Sequence, residues 1–467
     1  MSLNHAEPRL ARACLSALLG LCLAGSLRAA DAPPPDPGLA AANLPSNPPA
    51  SQPDDERWQL HSQATYIWQR KAAMAAPYTG ANSLIGPREL SYSFTATLAA
   101  GWRPWAGGEL YANAEGAQGV PLSGLTGLGG FSNGEMARSS GAQLKLYRAR
   151  LYGRQSWDLG SAREALDSDF NQLAGTVARR RLVLTLGNLA VGDVFDRNAY
   201  SHDPRSQFMN WSLMSQGAYD FAADARGYSS GAALEWFHDD WALRAGRFAL
   251  PRLPNQQALD ERLLRRFGDQ LELEHQHTLG GQRGTLRALL FRDRTELARF
   301  DDALAQQRRS GLLPTLDQAR TGVQGKRGLA LGLEQALAPD IGLFARWSVA
   351  DGATETDAFT EIDRSLSGGV LLDGARWQRA GDSLGLGAAI NRLSAGRRDY
   401  LAAGGSTFFL GDGALRYRPE QVLELFYNLR LTAWLTLALD AQRINNPGYN
   451  ADRGPVTLVA TRLHAAF

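Results

Sequence analysis

From Trp58 onward the chain alternates apolar and polar residues in one extended segment after another. In Trp58–Gln69, Leu60, Ala64, Tyr66 and Trp68 share one face, and Gln59, His61, Gln63 and Thr65 share the other. A period of two is that of a strand with two unlike faces. The pattern recurs in Leu90–Gly101, Gly107–Gly116, Gln143–Gln155, Arg179–Asn188, Tyr228–Phe237, Trp241–Ala249, Asp269–Leu279 and Arg283–Arg292. It continues in Arg327–Leu337, Ile341–Ala350, Ser365–Gly374, Asp382–Leu393, Glu420–Leu429, Thr432–Arg443 and Val456–Phe467, which makes sixteen segments. The fold class expected is all-β.

Strands of a soluble sandwich usually run about 5–6 residues. Several here reach the ~9–11 residues that a tilted membrane strand needs. The connections alternate as well. Arg103-Pro-Trp-Ala, His238-Asp-Asp, Gly280-Gly-Gln and Ala338-Pro-Asp are tight turns. The intervening connections, 70–89, 117–142, 188–227, 250–268, 293–326, 351–364, 394–419 and 444–455, are long. Short turns alternating with long loops on an even strand count predict a 16-stranded antiparallel transmembrane β-barrel with periplasmic turns and external loops. Trp58, Trp68, Tyr92, Trp236, Trp241, Trp347 and Tyr427 lie near strand ends, where interfacial girdles belong. Residues 156–178 break the rule, being long on the short side; a small periplasmic helix or a miscounted strand would explain them.

One loop stands apart. After the strand Arg179–Gly187 comes a polar stretch to Trp211 with three aromatics (Phe195, Phe208, Trp211) and charges at Asp193, Asp196, Arg197, Asp203 and Arg205. A loop of this length is functional or disordered. Its aromatics favour order, and the expectation is that it folds into the barrel's own channel; an outward surface loop is the alternative.

With apolar faces outward, parity assigns the lumen. Glu109, Tyr111, Asn113 and Glu115 form one inward ladder. Arg148, Arg150 and Arg154, with Tyr152, form another, continued by Arg179 and Arg181. Further inward positions are Arg244, Arg283, Arg287, Glu334, Arg346, Glu424 and Trp434. About sixteen strands leave room for an aqueous channel rather than a packed core. Such a lining suits sugars, because charged groups hydrogen-bond hydroxyls and aromatic faces stack on C–H surfaces.

Composition adds compartment and exclusions. Formal net charge is +2 over 467 residues, so no strong field favours nucleic acid. Residues 1–30 read as a signal peptide, with Arg9 and Arg12 ahead of a short apolar core. Residues 31–56 form a Pro- and Ala-rich periplasmic linker, which leaves 57–467 for the barrel. Both cysteines, Cys14 and Cys22, fall in the signal segment, which removes disulfides and thiol chemistry from the mature chain. The mean hydropathy of −0.28 fits a barrel as well as a soluble protein. Gly124–Gly130 is glycine-rich, but no amphipathic helix follows, so it is no phosphate loop. His275 and His277 lack a third ligand, and no nucleophile–base grouping is evident; neither a metal, a cofactor nor an enzymatic function is expected.

The stretches Gln63-Ala-Thr-Tyr-Ile-Trp-Gln69, Gly108-Glu-Leu-Tyr-Ala-Asn113, Gly187–Trp211 (above all Asp193-Val-Phe-Asp196 and Asp203-Pro-Arg-Ser-Gln-Phe208) and Asn446-Pro-Gly-Tyr449 resemble the carbohydrate-selective porin (OprB) family. The resemblance spans residue 57 to the end. The third strand departs slightly, reading Ala114-Glu115 in place of Pro-Glu. The resemblance implies a sixteen-stranded barrel in the outer membrane of a Gram-negative bacterium that passes mono- or oligosaccharides passively, with loop segments narrowing the pore. Expected partners are sugar solutes, outer-membrane lipid and lipopolysaccharide, and the barrel-assembly machinery, which receives a last strand whose Val459, Leu463, Ala465 and Phe467 share a face. Polysaccharide export, a general-solute channel and a membrane-surface enzyme are the alternatives.

Overall fold

A computed structural model describes residues 55–136 and 141–467. The expected signal peptide and nearly all of the expected linker lie outside the described residues. Sixteen long strands form the wall: β1 (Trp58–Lys71), β2 (Glu89–Trp105), β3 (Gly108–Val120), β4 (Lys145–Asp158), β5 (Arg180–Leu189), β6 (Ser229–His238), β7 (Trp241–Pro251) and β8 (Phe267–Leu279). They continue as β9 (Gln282–Glu296), β10 (Val323–Ala338), β11 (Ile341–Ala350), β12 (Arg364–Asp373), β13 (Ser383–Arg392), β14 (Glu420–Arg430), β15 (Leu435–Asn445) and β16 (Val456–Ala466). Each pairs antiparallel with its sequence neighbours. β1 pairs with both β2 and β16, Gln63 facing Thr97 on one side and Ala466 on the other, so the sheet closes. Closure leaves no open edge, which a backbone in lipid requires. Among the described residues, no helix is long and apolar enough to cross a membrane.

The alternation read from the sequence sets the two faces. Leu60, Leu98, Leu186, Leu234, Leu290, Leu366, Leu386 and Leu439 are exposed on the outside, while their neighbours Gln59, Thr97, Thr185, Leu289, Ser365 and Asp440 are buried. The buried aromatics therefore sit inside the barrel: Phe195, Phe208, Trp211 and Tyr219 of the long loop form its core with wall residues Phe248, Phe291, Phe344 and Phe426. The short-turn rim is as predicted. Gly280 and Gly281 both take positive φ (59° and 79°), which a two-residue hairpin turn demands and glycine allows. Trp58, Trp102, Trp105, Trp157, Trp236 and Trp241 stand exposed along that rim.

Three expectations need correction. Residues 156–178 hold neither a helix nor an extra wall strand: Arg163–Leu166 and Gly175–Ala178 pair as a small antiparallel hairpin. Trp434 is not in the lumen; it lies in the turn before β15 and stacks on Phe467, ring centroids 5.2 Å apart. Arg148 does not belong to the inward ladder. The β3–β4 register shifts, with Asn113 opposite Arg150 but Ala114 opposite Arg148, so Ala149 is an extra residue. A bulge of one residue reverses parity beyond it. Tyr147 turns inward to face Glu115, and Arg148 is exposed on the outer face beside exposed Ala114.

Candidate functional site

The loop of residues 190–228 lies across the lumen, and inward side chains of the wall hold it there. Carboxylates take its backbone N–H groups: Glu272 on β8 accepts from Asp196 (2.9 Å), Glu334 on β10 from Ala199 (2.6 Å), and Glu424 on β14 from Met209 and Asn210 (2.5 and 2.9 Å). Guanidinium groups take its carbonyls. Arg346 on β11 donates to Ser201 and Leu213 (2.5 and 2.6 Å), and Arg462 on β16 to Pro204 and Gln207 (2.7 and 2.8 Å). Asn428 donates to Ser206 (2.6 Å). A loop inside a wall cannot give its backbone to a ladder, so charged wall residues must satisfy it. At the far end Asn210 caps a single helical turn, Trp211–Met214, accepting from the Ser212 N–H (3.0 Å).

Three clusters bring most of the sequence-predicted residues together. In the first, Arg150 grips Asp193 with both arms at 2.7 Å, and its guanidinium lies 5.3 Å from the Tyr228 ring. In the second, Arg205 binds Glu135 (2.8 Å) and approaches Glu115 (3.5 Å). Glu115 also accepts from Thr97 (2.9 Å), Tyr228 (3.2 Å) and Tyr147, and Asp203 holds the Arg205 N–H (3.0 Å). In the third, Glu109 accepts from Tyr111 (2.8 Å), Arg103 (3.0 Å) and Arg154 (3.4 Å). The Arg154 guanidinium lies over the Tyr111 and Tyr152 rings.

The other predicted residues have different positions. Asp196 accepts from the Gln216 N–H (2.7 Å) and pairs with Arg346 (3.4 Å), so it shapes the loop. Trp211 is buried, with Phe131, Phe221 and Phe359 around it; it is loop core and not lining. Arg181 ties down the small hairpin, donating to Glu164 (2.7 Å) and the Ala178 carbonyl (2.8 Å). Arg197 is exposed and has no hydrogen bond or ion pair among the described residues.

Glu135, Glu272 and Arg462 were not among the residues expected to line the channel. Glu272 was recoverable, since it sits between outward Leu271 and Leu273. The small hairpin was missed entirely. Its tip folds back inside the wall: Gln59 donates to the Asp169 carbonyl (3.0 Å), Arg154 to that of Asn171 (3.5 Å), and the Leu173 N–H to the Tyr111 hydroxyl (3.2 Å).

Charge is held unevenly. Burial opposes the ionised form of Asp193, but Arg150 more than offsets it and the carboxyl lies below its ordinary range. Asp203, beside Arg205, and Asp220, beside Lys326, are lowered against burial in the same way. Burial pushes Glu135 up, against the pull of Arg205. Depressed carboxyls stabilise the fold fully above their unfolded value near 3.9 and lose that contribution as pH falls through the lower folded values. The Arg150–Asp193 clamp should therefore hold from neutrality down to about pH 4 and loosen below it, so single-channel noise that depends on Arg150 should appear only below that pH. Arg148 and Arg150 give a second test. Arg150→Ala frees Asp193 and should change both conductance and sugar flux, whereas Arg148→Ala should leave both unchanged, as measured in planar bilayers.

The model of the family described as carbohydrate-selective porin, OprB family, matches residues 81–467. No curated protein matches the chain. Among solved structures, OprB of Pseudomonas putida superposes with a TM-score of 0.68 at 15% identity, over 88% of this chain and 94% of that one. OmpF of Salmonella typhi superposes at 0.49 and 9% identity, over 89% and 98% of the two chains.

Proposed function

Because the chain belongs to the carbohydrate-selective porin (OprB) family and is an outer-membrane sugar channel, we propose that its selectivity resides where the inserted loop 190–228 meets the wall on β3, β4 and β6. The observation that carries this is the loop's anchorage to opposite sides of the barrel, from Glu272 and Glu334 to Glu424 and Arg462. A solute moving inward passes the loop first. Arg197 offers it an uncommitted guanidinium, and Arg150, Asp193, Tyr147 and Tyr228 supply charged and aromatic surfaces close together. It then meets Arg154 over Tyr111 and Tyr152. Hydroxyls exchange water for charged partners and ring faces meet aromatic ones, at weak sites in series that allow both binding and release. The clusters position and release a solute; they perform no reaction on it. The last strand, β16, is the segment we assign to the assembly machinery.

Liposome swelling tests the reading. Glucose and its oligomers should enter faster than non-sugar solutes of equal size, and equal rates would reject selectivity. The hairpin supports a second narrowing at the periplasmic mouth, because its tip bonds to Gln59, Tyr111 and Arg154 on the inner wall. Replacing 163–178 by a short turn should raise single-channel conductance by roughly half or more, since pore cross-section sets current. Unchanged conductance would place the hairpin outside the path.

A further inference from the structure

The outer surface of the barrel treats its two rims differently. At the periplasmic rim, turn acids answer the arginines: Arg179, which lies just before β5 and not in the inward ladder expected of it, pairs with Asp240 (3.0 Å), and Arg180 pairs with Asp239, Arg376 with Asp340 and Arg379 with Asp382, each at 2.6 Å. At the external ends of β9 to β13 four arginines form no ion pair among the described residues, although Arg292 lies 5.9 Å from the Phe267 ring. Arg292 on β9 lies directly opposite Arg327 on β10, and Arg364 on β12 directly opposite Arg392 on β13. All four are exposed, and among the described residues none has a carboxylate within 4.0 Å.

Like charges directly opposed across a sheet are destabilising, so two such pairs, one on either side of β11, call for an anion. The nearest acids are occupied. Asp269, which flanks Arg292 on β8, is gripped by Arg247 at 2.6 and 2.8 Å. Asp351 accepts the backbone N–H of Arg327 (3.0 Å). Height fixes the kind of anion. Two residues deeper on the same outward faces, Leu290 and Leu366 are 51% and 55% exposed, and Trp347 between them is 40% exposed; these touch hydrocarbon. The arginines therefore stand at the level of the outer-leaflet headgroups. Strands about 4.8 Å apart spread the patch over roughly 19 Å from β9 to β13, wider than one anion.

We propose that Arg292, Arg327, Arg364 and Arg392 form a binding site for the phosphorylated headgroup of an outer-leaflet glycolipid, one phosphate to each arginine pair. The planar guanidinium suits this, because it takes phosphate oxygens in a fork while its stem lies along the apolar band. Bound phosphate removes the repulsion within each pair, so the lipid also braces the part of the wall opposite the β3–β4 bulge.

Native mass spectrometry of the full chain in detergent tests the site, with bisphosphorylated lipid A and its dephosphorylated form as probes. The wild type should retain the bisphosphorylated lipid and not the dephosphorylated one. The variant R292A/R327A/R364A/R392A should bind it roughly tenfold more weakly or worse. All four side chains are exposed and the ladder bonds are main-chain, so this variant keeps the barrel. R180A/R376A, which removes two paired arginines from the opposite rim, should bind like the wild type. Equal binding by the quadruple variant, equal binding of the dephosphorylated lipid, or a comparable loss in R180A/R376A would each overturn the proposal.

Discussion

Excising residues 196–208 and joining the ends with a short Gly-Ser link should raise single-channel conductance roughly threefold or more, because current follows the open cross-section, and should erase the preference for sugars over non-sugars of equal size. The excised segment contains most of the bonds that span the lumen: those of Asp196 to Glu272, Ala199 to Glu334, Ser201 to Arg346, and Pro204 and Gln207 to Arg462. It also removes Arg197 and Arg205, which the proposed route passes. The wall should survive. Its ladder is closed without the loop, and the carboxylates and guanidiniums left behind would face water, where a bare charge costs little. Heat-modifiable migration on a gel would confirm an intact barrel, and bilayer recording would give the conductance. An intact barrel with wild-type conductance would show that the loop does not lie across the route.

The second large effect is on stability. Arg397→Ala should weaken the external loop cap by about 3–5 kcal/mol, because removing one partner strands buried opposite charges. Arg397 lies in the helix Ala395–Ala402, is fully buried, and reaches Asp363 with two bonds at 3.0 Å. It also binds Glu361 and donates to the Thr356 hydroxyl (3.2 Å), while the ring of Phe300 lies beneath its guanidinium at 4.9 Å. One side chain thus joins three external loops. Arg397→Lys should rescue little, since an ammonium cannot form the planar fork. Limited proteolysis reads the result: the external loops of Arg397→Ala should be cut much faster than those of the wild type, with the strands still resistant. Equal cutting rates would mean the cap is held by its apolar contacts alone.

The wall was legible because every strand has one face in hydrocarbon and one toward water, and that contrast writes itself into the sequence at period two. Leu60 against Gln59 and Leu186 against Thr185 are readable without a structure. The same rule failed at Arg148. Arg148-Ala-Arg150 looks like unbroken alternation, but the extra residue at Ala149 turns Arg148 outward, and nothing local distinguishes a bulge from a regular strand. The inward insertion of the 190–228 loop was readable from its aromatics, Phe195, Phe208 and Trp211, whose exposure on an outward loop would be costly. Its attachments were not, because which inward carboxylate meets which loop N–H depends on barrel register and stagger, a property of the closed sheet. The small hairpin failed for a simpler reason: its strands, Arg163–Leu166 and Gly175–Ala178, are too short to show a period.

If the exposed face of the inserted loop meets passing sugar, a thiol placed on that face will report it. The sequence has cysteines only at Cys14 and Cys22, both within the segment read as the signal peptide, so Arg197→Cys introduces a single reactive thiol into the barrel. The decisive measurement is the rate at which a charged thiol reagent blocks current through this variant, with and without saturating sugar. Modification should lower the current, and sugar should slow it severalfold more than a non-sugar polyol of equal size does. Modification that leaves the current untouched, or equal protection by the two solutes, would show that sugar does not pass against this face of the loop.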